Sequence, residues 1–326
     1  MKKSVLGLFF LLFIMTASLA SCTNTVDEER VDIVCIGFTE YDWTMNVIGD
    51  NNDSFNLIYL LDDGSDPHSF QPSISDIASV SDCDLFIYMG TSSDNWTKNV
   101  IENAINEDLK VLCFYDIFKG DLLPMSNSHC EDEDEGEHHH EDDGHNHTGV
   151  DEHFWLSLEN AKKAVEQICL SVSEIDPENK EKYTANADNY ICKLDALSGE
   201  YSDAARTSRL DTLVFADRFP YAYLARDYSL GYYSAYSGCS ADSELSQERI
   251  IFLAQKLDEI SSGHICVIET SDGKLAETVI SQTNNKDIEI LVFNSLQSVN
   301  KKQMQGGMTY LGEMEKNLEL LKKALG

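Results

Sequence analysis

The chain has 326 residues, of which 57 are acidic and 24 are basic, and its formal net charge is -33 at neutral pH. So large a negative charge excludes nucleic acid as a partner, because phosphates require a basic surface, and it favours a cation instead. The length suits two domains of ordinary size.

The first residues have the pattern of a lipoprotein export signal. Two lysines precede an apolar run from Val5 to Ala17, and small residues then lead to Cys22. The run is too short for a stable transmembrane helix, and a cysteine directly after a cleavage point can carry a lipid. We expect residues 1–22 to be a signal peptide that ends at lipidated Cys22. This lipid would anchor the protein at the cell surface or on the periplasmic face. The alternative is an ordinary signal peptide in which Cys22 is incidental.

The first half of the mature chain alternates strand and helix signals. Short apolar runs are typical of buried parallel strands. These runs lie at residues 31–38, 55–61, 84–89 and 110–114. Amphipathic segments separate them, including a helical stripe that starts at Trp96 behind the candidate caps Ser93 and Asp94. This order predicts an N-terminal α/β lobe over residues 31–175.

A long helical stretch comes next. Asp176 is its candidate cap, Pro177 takes the first helical position, and Gly199 is the one breaker before about Arg206. At 1.5 Å per residue, such a helix would extend about 45 Å. We expect residues 176–208 to form a rigid backbone helix between two lobes.

The last part of the chain repeats the alternation of strands and helices, and we expect residues 209–326 to form a C-terminal α/β lobe. Its candidate strands lie at residues 212–216, 230–236, 264–268 and 288–293. A closing helix has an apolar seam from Leu311 to Leu325. The predicted fold class is α/β, with two lobes that have parallel-type sheets and are joined by a long rigid helix.

The segment of residues 129–147 differs from its surroundings because it consists almost entirely of acidic and polar residues with six histidines. These are His129, His138, His139, His140, His145 and His147. Such a composition cannot form a packed core. Neutral imidazoles bind zinc, copper and nickel, so we expect an auxiliary metal-binding loop that holds several ions weakly. The alternative is a solvated acidic loop with incidental histidines.

Two histidines outside this segment lie where open α/β sheets bind ligands. His68 follows a buried strand, in a turn that Pro67 and Pro72 make rigid. His153 comes directly after the histidine-rich segment. Either histidine alone would be interpreted as structural, but as a pair they should face one cleft, and we expect both to bind metal. His264, just before a strand, is interpreted as a structural residue.

With these features the chain resembles the solute-binding lipoproteins of zinc and manganese ABC importers. The matching motifs are Gly64–Pro72 (GSDPHSFQP) with Asp76, the histidine-rich segment, Asp151–Ala161 (DEHFWLSLENA) and Asp176–Asn179 (DPEN). The match covers nearly the whole mature chain. It implies two α/β lobes joined by a backbone helix, with a metal ion in the cleft between them. It also implies that His68 and His153 bind this ion from the N-terminal lobe.

The C-terminal half departs from the family pattern. Arg218, in the stretch Asp217–Pro220, stands where the family has a third histidine, or a glutamate in manganese binders. A guanidinium has no lone pair to give and repels a cation unless a carboxylate pairs with it. Asn294 stands where many relatives have an aspartate, and an amide oxygen is a weaker ligand than a carboxylate.

Other donors must therefore complete the coordination. The candidates are the histidines of residues 129–147, which we rank first, and then Glu40, Glu269 and Asn294. Glu40 and Glu269 could instead pair with Arg218.

The sequence therefore predicts an extracytoplasmic protein that captures zinc for an ABC importer. Its partners would be a permease and its ATPase, its membrane contact would be the lipid on Cys22, and the chain would be a monomer. Nitrogen ligands favour zinc over manganese, and nickel also binds well to nitrogen ligands. The alternatives are a metal-buffering or adhesin-like surface lipoprotein, or a binder of a metal chelate or an anion through Arg218. An enzyme is not expected, because HExxH and GxSxG motifs are lacking.

Overall fold

The computed structural model describes residues 30–49, 53–124, 149–236 and 245–326. The signal peptide, Cys22 and the histidine-rich segment of residues 129–147 lie outside these ranges. Within the described ranges, no helix combines the length and the apolar character needed to cross a membrane.

The first lobe is built on a four-stranded sheet with the strand order β2-β1-β3-β4, in which all neighbouring strands are parallel. The strands are β1 (Val31–Cys35), β2 (Phe55–Tyr59), β3 (Leu85–Tyr88) and β4 (Lys110–Cys113). The helices are α1 (Phe38–Ile48), α2 (Ile74–Asp82), α3 (Thr97–Glu102), α4 (Phe114–Phe118) and α5 (Leu158–Ile175). Three single-turn 3-10 helices interrupt the loops, at Pro67–Ser69, Ser92–Asp94 and Phe154–Leu156. Each of these turns lies near a predicted histidine.

The connecting helix α6 (Lys180–Thr207) follows a 3-10 turn at Pro177–Asn179. It has 28 residues and is therefore about 42 Å long. One stripe of it is buried, and two tyrosines of this stripe bond neighbouring elements. Tyr190 donates to the Asp42 carboxylate on α1 (3.2 Å), and Tyr201 donates to the Met314 carbonyl in the last helix of the chain (2.6 Å). The helix is thus anchored to both lobes.

The second lobe repeats the architecture of the first, with the parallel strand order β6-β5-β7-β8. Its strands are β5 (Thr212–Phe215), β6 (Gly231–Ser234), β7 (His264–Ile268) and β8 (Glu289–Phe293). Its helices are α7 (Ala222–Asp227), α8 (Gln247–Glu259), α9 (Lys274–Gln282), α10 (Lys301–Gln305) and α11 (Tyr310–Leu325). The predicted fold class of two α/β lobes with parallel sheets and a long connecting helix is confirmed.

Buried side chains join the two lobes directly. The Trp155 indole donates to the Ser295 carbonyl (2.9 Å), and the Tyr310 hydroxyl donates to the Trp155 carbonyl (2.7 Å). Tyr59 at the end of β2 donates to the Val299 carbonyl (2.7 Å). One continuous hydrophobic core extends across both lobes. These contacts fix the lobes around the cleft at the carboxyl ends of their strands.

Candidate metal centre

His68 lies in the loop after β2, within the 3-10 turn Pro67–Ser69. The Asp66 carboxylate caps this turn by accepting from the His68 backbone N–H (2.9 Å). The loop begins at Gly64, which has a φ of +83°, and a Cβ there would lie 3.1 Å from the Asn300 Cβ of the second lobe. Glycine is therefore required where the loop passes the other lobe. The result is a rigid turn that holds His68 at the cleft.

His153 lies opposite His68 and is almost fully buried, with 2% of its surface exposed. The Asp151 carboxylate accepts from the His153 backbone N–H and lies 2.9 Å from ring nitrogen Nδ1. A carboxylate beside Nδ1 keeps the proton on that nitrogen, which leaves the lone pair of Nε2 for a ligand. The two imidazole rings are 5.8 Å apart, measured between their centroids. The structure thus brings together both predicted histidines.

Ser93 orients His68 in the same way. Its Oγ lies 2.9 Å from Nδ1 of His68 and also donates to the Glu152 carboxylate. A hydroxyl has one hydrogen, and because it is given to Glu152, the Ser93 oxygen must accept from His68. Nδ1 then carries the proton, and Nε2 of His68 has the free lone pair. This role of Ser93 was not predicted, because Ser93 and Asp94 have the sequence character of helix caps. The side chain of neither residue caps α3, which starts only at Thr97.

Electrostatics favours the neutral form of His68. Burial lowers its pKa, and the neighbouring His153 lowers it further, against the opposing charges of Glu152 and Asp66. Burial alone would raise the pKa of the Glu152 carboxyl, but hydrogen bonds from Ser92 and Ser93 hold it below its ordinary value. A neutral imidazole beside an ionised carboxylate is the state that binds a divalent cation.

A small cavity of about 30 Å³, hereafter the inner cavity, adjoins His68. Glu40, Asp94 and Glu152 line it together with Gln297. Glu40 is fully buried; its Oε2 accepts from the Thr39 hydroxyl, while its Oε1 has no hydrogen-bond partner among the described residues.

The two innermost carboxyls of this cavity are hard to ionise. Burial raises the pKa of Glu40 to about 7. It also raises the pKa of Asp94 to about 7, with a further contribution from the charge of Glu40. Near neutral pH, each therefore exists partly in its protonated form.

Arg218 faces His153 from the second lobe. The two residues share a second, narrower space, hereafter the narrow pocket, with Pro220, Ile268 and Gln297. Nη1 of Arg218 lies 3.6 Å from Oδ2 of Asp66. A carboxylate was expected beside this guanidinium, with Glu40 and Glu269 as the candidates; the carboxylate at 3.6 Å is that of Asp66.

Glu269 and Asn294, the other predicted candidates from the second lobe, have partners elsewhere. Both Glu269 oxygens accept bonds from Ser295, one from its N–H (2.8 Å) and one from its hydroxyl (2.6 Å). The Asn294 side chain donates to Glu313 and accepts from the Leu296 N–H. Neither residue lines the inner cavity or the narrow pocket. Their bonds shape the loop after β8.

Within the described residues, no three His, Cys, Asp or Glu side chains are grouped closely enough to hold a metal ion. His68 and His153 are therefore a pair of donors that needs further ligands. The predicted loop histidines lie outside the described residues. His264 is the first residue of strand β7, and its Nε2 lies 3.5 Å from Oε2 of Glu289.

The residues that flank the histidine-rich segment are tied to the second lobe by Tyr223. Its buried hydroxyl accepts from the Leu123 N–H (3.0 Å) and donates to the Asp151 carbonyl (2.9 Å). Pro124 and Val150, one on each side of the histidine-rich segment in the sequence, form an isolated antiparallel bridge. Pro124 and Val150, which precede and follow the undescribed residues 125–148, are thus paired with each other, and Val150 lies three residues before His153 in the chain.

The chain is similar to known proteins along its whole length. The sequence profile of the family described as zinc-uptake complex component A, periplasmic (ZnuA), matches residues 33–324. The zinc-binding lipoprotein AdcA of Streptococcus pneumoniae serotype 4 is 30% identical over 306 residues, which cover 94% of this chain and 58% of AdcA. The high-affinity zinc uptake system protein ZnuA of Bacillus subtilis is 29% identical over 332 residues, covering 100% of this chain and 99% of that protein.

A solved structure has the same fold. The crystal structure of the Zn(II)-bound ZnuA-like domain of Streptococcus pneumoniae AdcA superposes with a TM-score of 0.70 at 28% sequence identity, covering 91% of this chain and 99% of that domain. The chain spans only 58% to 61% of the length of the AdcA relatives that it matches.

Proposed function

Because the chain belongs to the periplasmic zinc-uptake complex component A family, we propose that it captures zinc outside the cytoplasm and delivers it to an ABC-type importer. The names of its relatives, a zinc-binding lipoprotein and a high-affinity zinc uptake protein, support zinc as the cargo. The role is one of binding and delivery rather than catalysis.

One observation carries the assignment of the site. His68 and His153 lie with their rings 5.8 Å apart, and each has a hydrogen-bonded partner at Nδ1. Two preoriented Nε2 atoms are suitable ligands for a zinc ion at the cleft. The fixed partners reduce the entropy that must be lost when the ion binds.

The remaining coordination positions are proposed to come from the histidines of residues 129–147. This assignment is supported by the position of the flanking residues, which Tyr223 holds beside Asp151. Glu40 is the second choice, because it lines the inner cavity next to His68 and its Oε1 has no hydrogen-bond partner among the described residues. Deletion of residues 129–147 should then weaken zinc binding by far more than tenfold, and an unchanged affinity would contradict the role of the loop.

The proposal places the protein on the membrane through a lipid on Cys22, as the name of the pneumococcal lipoprotein supports. A permease and its ATPase would receive the ion. The lobes are joined by α6 and by buried hydrogen bonds, so we expect a small adjustment of the cleft, and not a wide hinge opening, when zinc enters and leaves.

Growth of cells under zinc limitation distinguishes delivery of zinc to an importer from storage of zinc by the protein. Cells that lack this chain should grow poorly with a zinc chelator and recover when the wild-type chain is restored. The His68→Ala, His153→Ala double variant, expressed at the same level, should fail to restore growth. If deletion leaves zinc accumulation unchanged, the importer role is wrong, and a metal-buffering role would replace it.

A further inference from the structure

The two lobes enclose a larger space that is separate from the histidine pair, hereafter the junction groove. Its volume is about 780 Å³, which is in the range of pockets that hold small organic ligands. The first lobe contributes residues of α1 and β2 to its lining, and the second lobe contributes residues of α10 and of the turn after it. Among the described residues, only the buried Phe38 lines both this groove and the inner cavity, and neither His68 nor His153 lines the groove.

Bonds between the lobes fix the walls of the junction groove. The Lys301 N–H donates to the Asp62 carbonyl (2.7 Å), and the Tyr59 hydroxyl donates to a carbonyl of the second lobe (2.7 Å). The turn after α10 is fixed as well, because Gly307 has a φ of +92° and its N–H donates to the Met304 carbonyl (2.9 Å), as in a Schellman helix end. The groove is therefore preformed, and little chain entropy is lost when a ligand enters.

The lining of the junction groove is rich in polarisable groups. Met45 of the first lobe and Met304 and Met308 of the second lobe line it, together with Tyr41 and Tyr59. The rings of the two tyrosines are 5.6 Å apart, measured between their centroids. Thioethers adapt to apolar ligands of irregular shape, and the faces of aromatic rings attract cations. This combination favours a ligand that has both an apolar body and a positive charge.

The charges of the junction groove also favour a cation. Of the described residues that line it, three are charged, and two of these are the carboxylates of Asp42 and Asp62. Asp42 is buried, and the groups that donate to it, the Tyr190 hydroxyl and the Asn46 amide (3.2 Å each), are neutral and do not cancel its charge. The third charge is that of Lys301, whose Nζ is 3.9 Å from the half-exposed Asp62 carboxylate. A surface pair of this kind is weak, so Asp62 remains available to a ligand.

We propose that the junction groove binds an organic cation with an apolar body, such as an aromatic amine or a quaternary ammonium compound. The tyrosine rings and the carboxylates hold the charged nitrogen, and the methionines pack against the apolar body. The groove is far larger than a single metal ion, and a neutral apolar ligand would cover the carboxylates without compensating their loss of water. Because both lobes line the groove, the bound cation links them at a place away from the zinc site.

Nuclear magnetic resonance of the chain without residues 1–22, with ¹³C in its methionine methyl groups, locates the ligand. The probe is benzyltrimethylammonium. We expect it to shift the methyl resonances of Met45, Met304 and Met308 along one common binding curve. Those of Met89 and Met314, which do not line the groove, should stay in place. Benzyl alcohol, which is neutral, and phenylacetate, which is an anion, should bind at least about tenfold more weakly.

Four variants test which groups hold the probe. Tyr41→Leu should weaken binding about tenfold through loss of the ring face, and Asp62→Asn about threefold through loss of a partly exposed charge. Asp188→Asn is the matched control for the charge, because Asp188 is exposed on α6 and outside the groove, and it should bind as the wild type does. The His68→Ala, His153→Ala double variant should also bind the probe as the wild type does.

The proposal is overturned if the probe at millimolar concentration leaves the three methionine resonances in place. It is also overturned if benzyl alcohol and phenylacetate shift them as strongly, because the groove would then be apolar without selectivity for charge. Loss of probe binding in the double histidine variant would place the probe at the cleft and contradict the proposal as well. None of these results affects the proposed capture of zinc, which depends on other residues.

Discussion

Arg218 of the second lobe and Asp66 of the first form an ion pair across the cleft, with Nη1 and Oδ2 separated by 3.6 Å. Asp66 also caps the turn that carries His68. The family resemblance implies a metal-binding histidine at the position of Arg218, so this chain has a charge pair between the lobes where that resemblance would place a ligand. Both side chains keep partial solvent contact, and we expect the pair to contribute less than about 1 kcal/mol to stability.

The substitution Arg218→His is expected to tighten zinc binding at least about tenfold, because it removes a repelling charge and adds an imidazole next to His153. The control is Arg218→Gln, which removes the charge and the ion pair without adding a nitrogen ligand. Competition with a chromophoric zinc chelator measures both affinities. An Arg218→His variant that binds no more tightly than Arg218→Gln would show that this position does not face the ion.

Ser93→Ala should weaken zinc binding about tenfold, because His68 loses the partner that keeps the proton on Nδ1. Ser92→Ala is a matched control. It removes a hydroxyl bond to the same Glu152 carboxylate but none to His68, so its effect on affinity should be much smaller. Calorimetry of both variants gives the comparison. Equal losses in the two variants would assign the effect to Glu152 and not to the orientation of His68.

Tyr223→Phe should lower the free energy of unfolding by about 2 kcal/mol, because the Leu123 N–H and the Asp151 carbonyl each lose a buried partner. Tyr221→Phe is the matched control two residues away. Its hydroxyl is buried and has no hydrogen-bond partner in the part of the chain that the structure describes, so removing it should be neutral or slightly stabilising. Urea unfolding of the metal-free variants measures both changes. If the two tyrosines respond alike, the bonds at the flanks of the histidine-rich segment contribute nothing.

Glu40 makes the metal-free fold sensitive to pH. An ordinary glutamate has a pKa of 4.5, and burial raises the pKa of Glu40 in the folded state to about 7. The folded state therefore holds the proton more tightly than the unfolded state does. The stability from this group is fully present below about pH 4.5 and is lost as the pH rises to about 7.

Glu40→Gln stays neutral at every pH and removes this loss. We expect the variant to be more stable than the wild type at pH 8 by at most about 3 kcal/mol, and nearly equal to it at pH 4.5. Unfolding by urea at the two pH values, in the presence of a chelator, measures the difference. A difference that is the same at both pH values would contradict the buried, protonatable carboxyl.

The strands could be predicted from the sequence because a buried parallel strand is a short apolar run, a local pattern. Each observed strand falls inside a predicted run. The run 264–268 coincides with β7, and the other seven runs are longer than their strands by one to three residues. The turn that carries His68 could also be predicted from a local pattern, because Pro67 and the capping Asp66 are its neighbours in the sequence.

The partners of the site residues could not be predicted, because they depend on side chains that are distant in the sequence. Ser93 has the sequence character of a helix cap, yet its hydroxyl bonds His68, 25 residues earlier, and Glu152, 59 residues later. Glu269 and Asn294 follow strands, as ligands in open sheets do, but Glu269 bonds Ser295 and Asn294 bonds Glu313. Hydrophobic periodicity carries no information about such pairs.

The zinc site at the cleft is tested by calorimetric titration of the metal-stripped chain, without residues 1–22, with zinc, manganese and nickel. We expect one tight zinc step with a stoichiometry of one. In the His68→Ala, His153→Ala double variant this step should be lost, and only weak binding by residues 129–147 should remain. Weak binding of several ions that the double substitution does not alter would contradict a zinc site at the cleft.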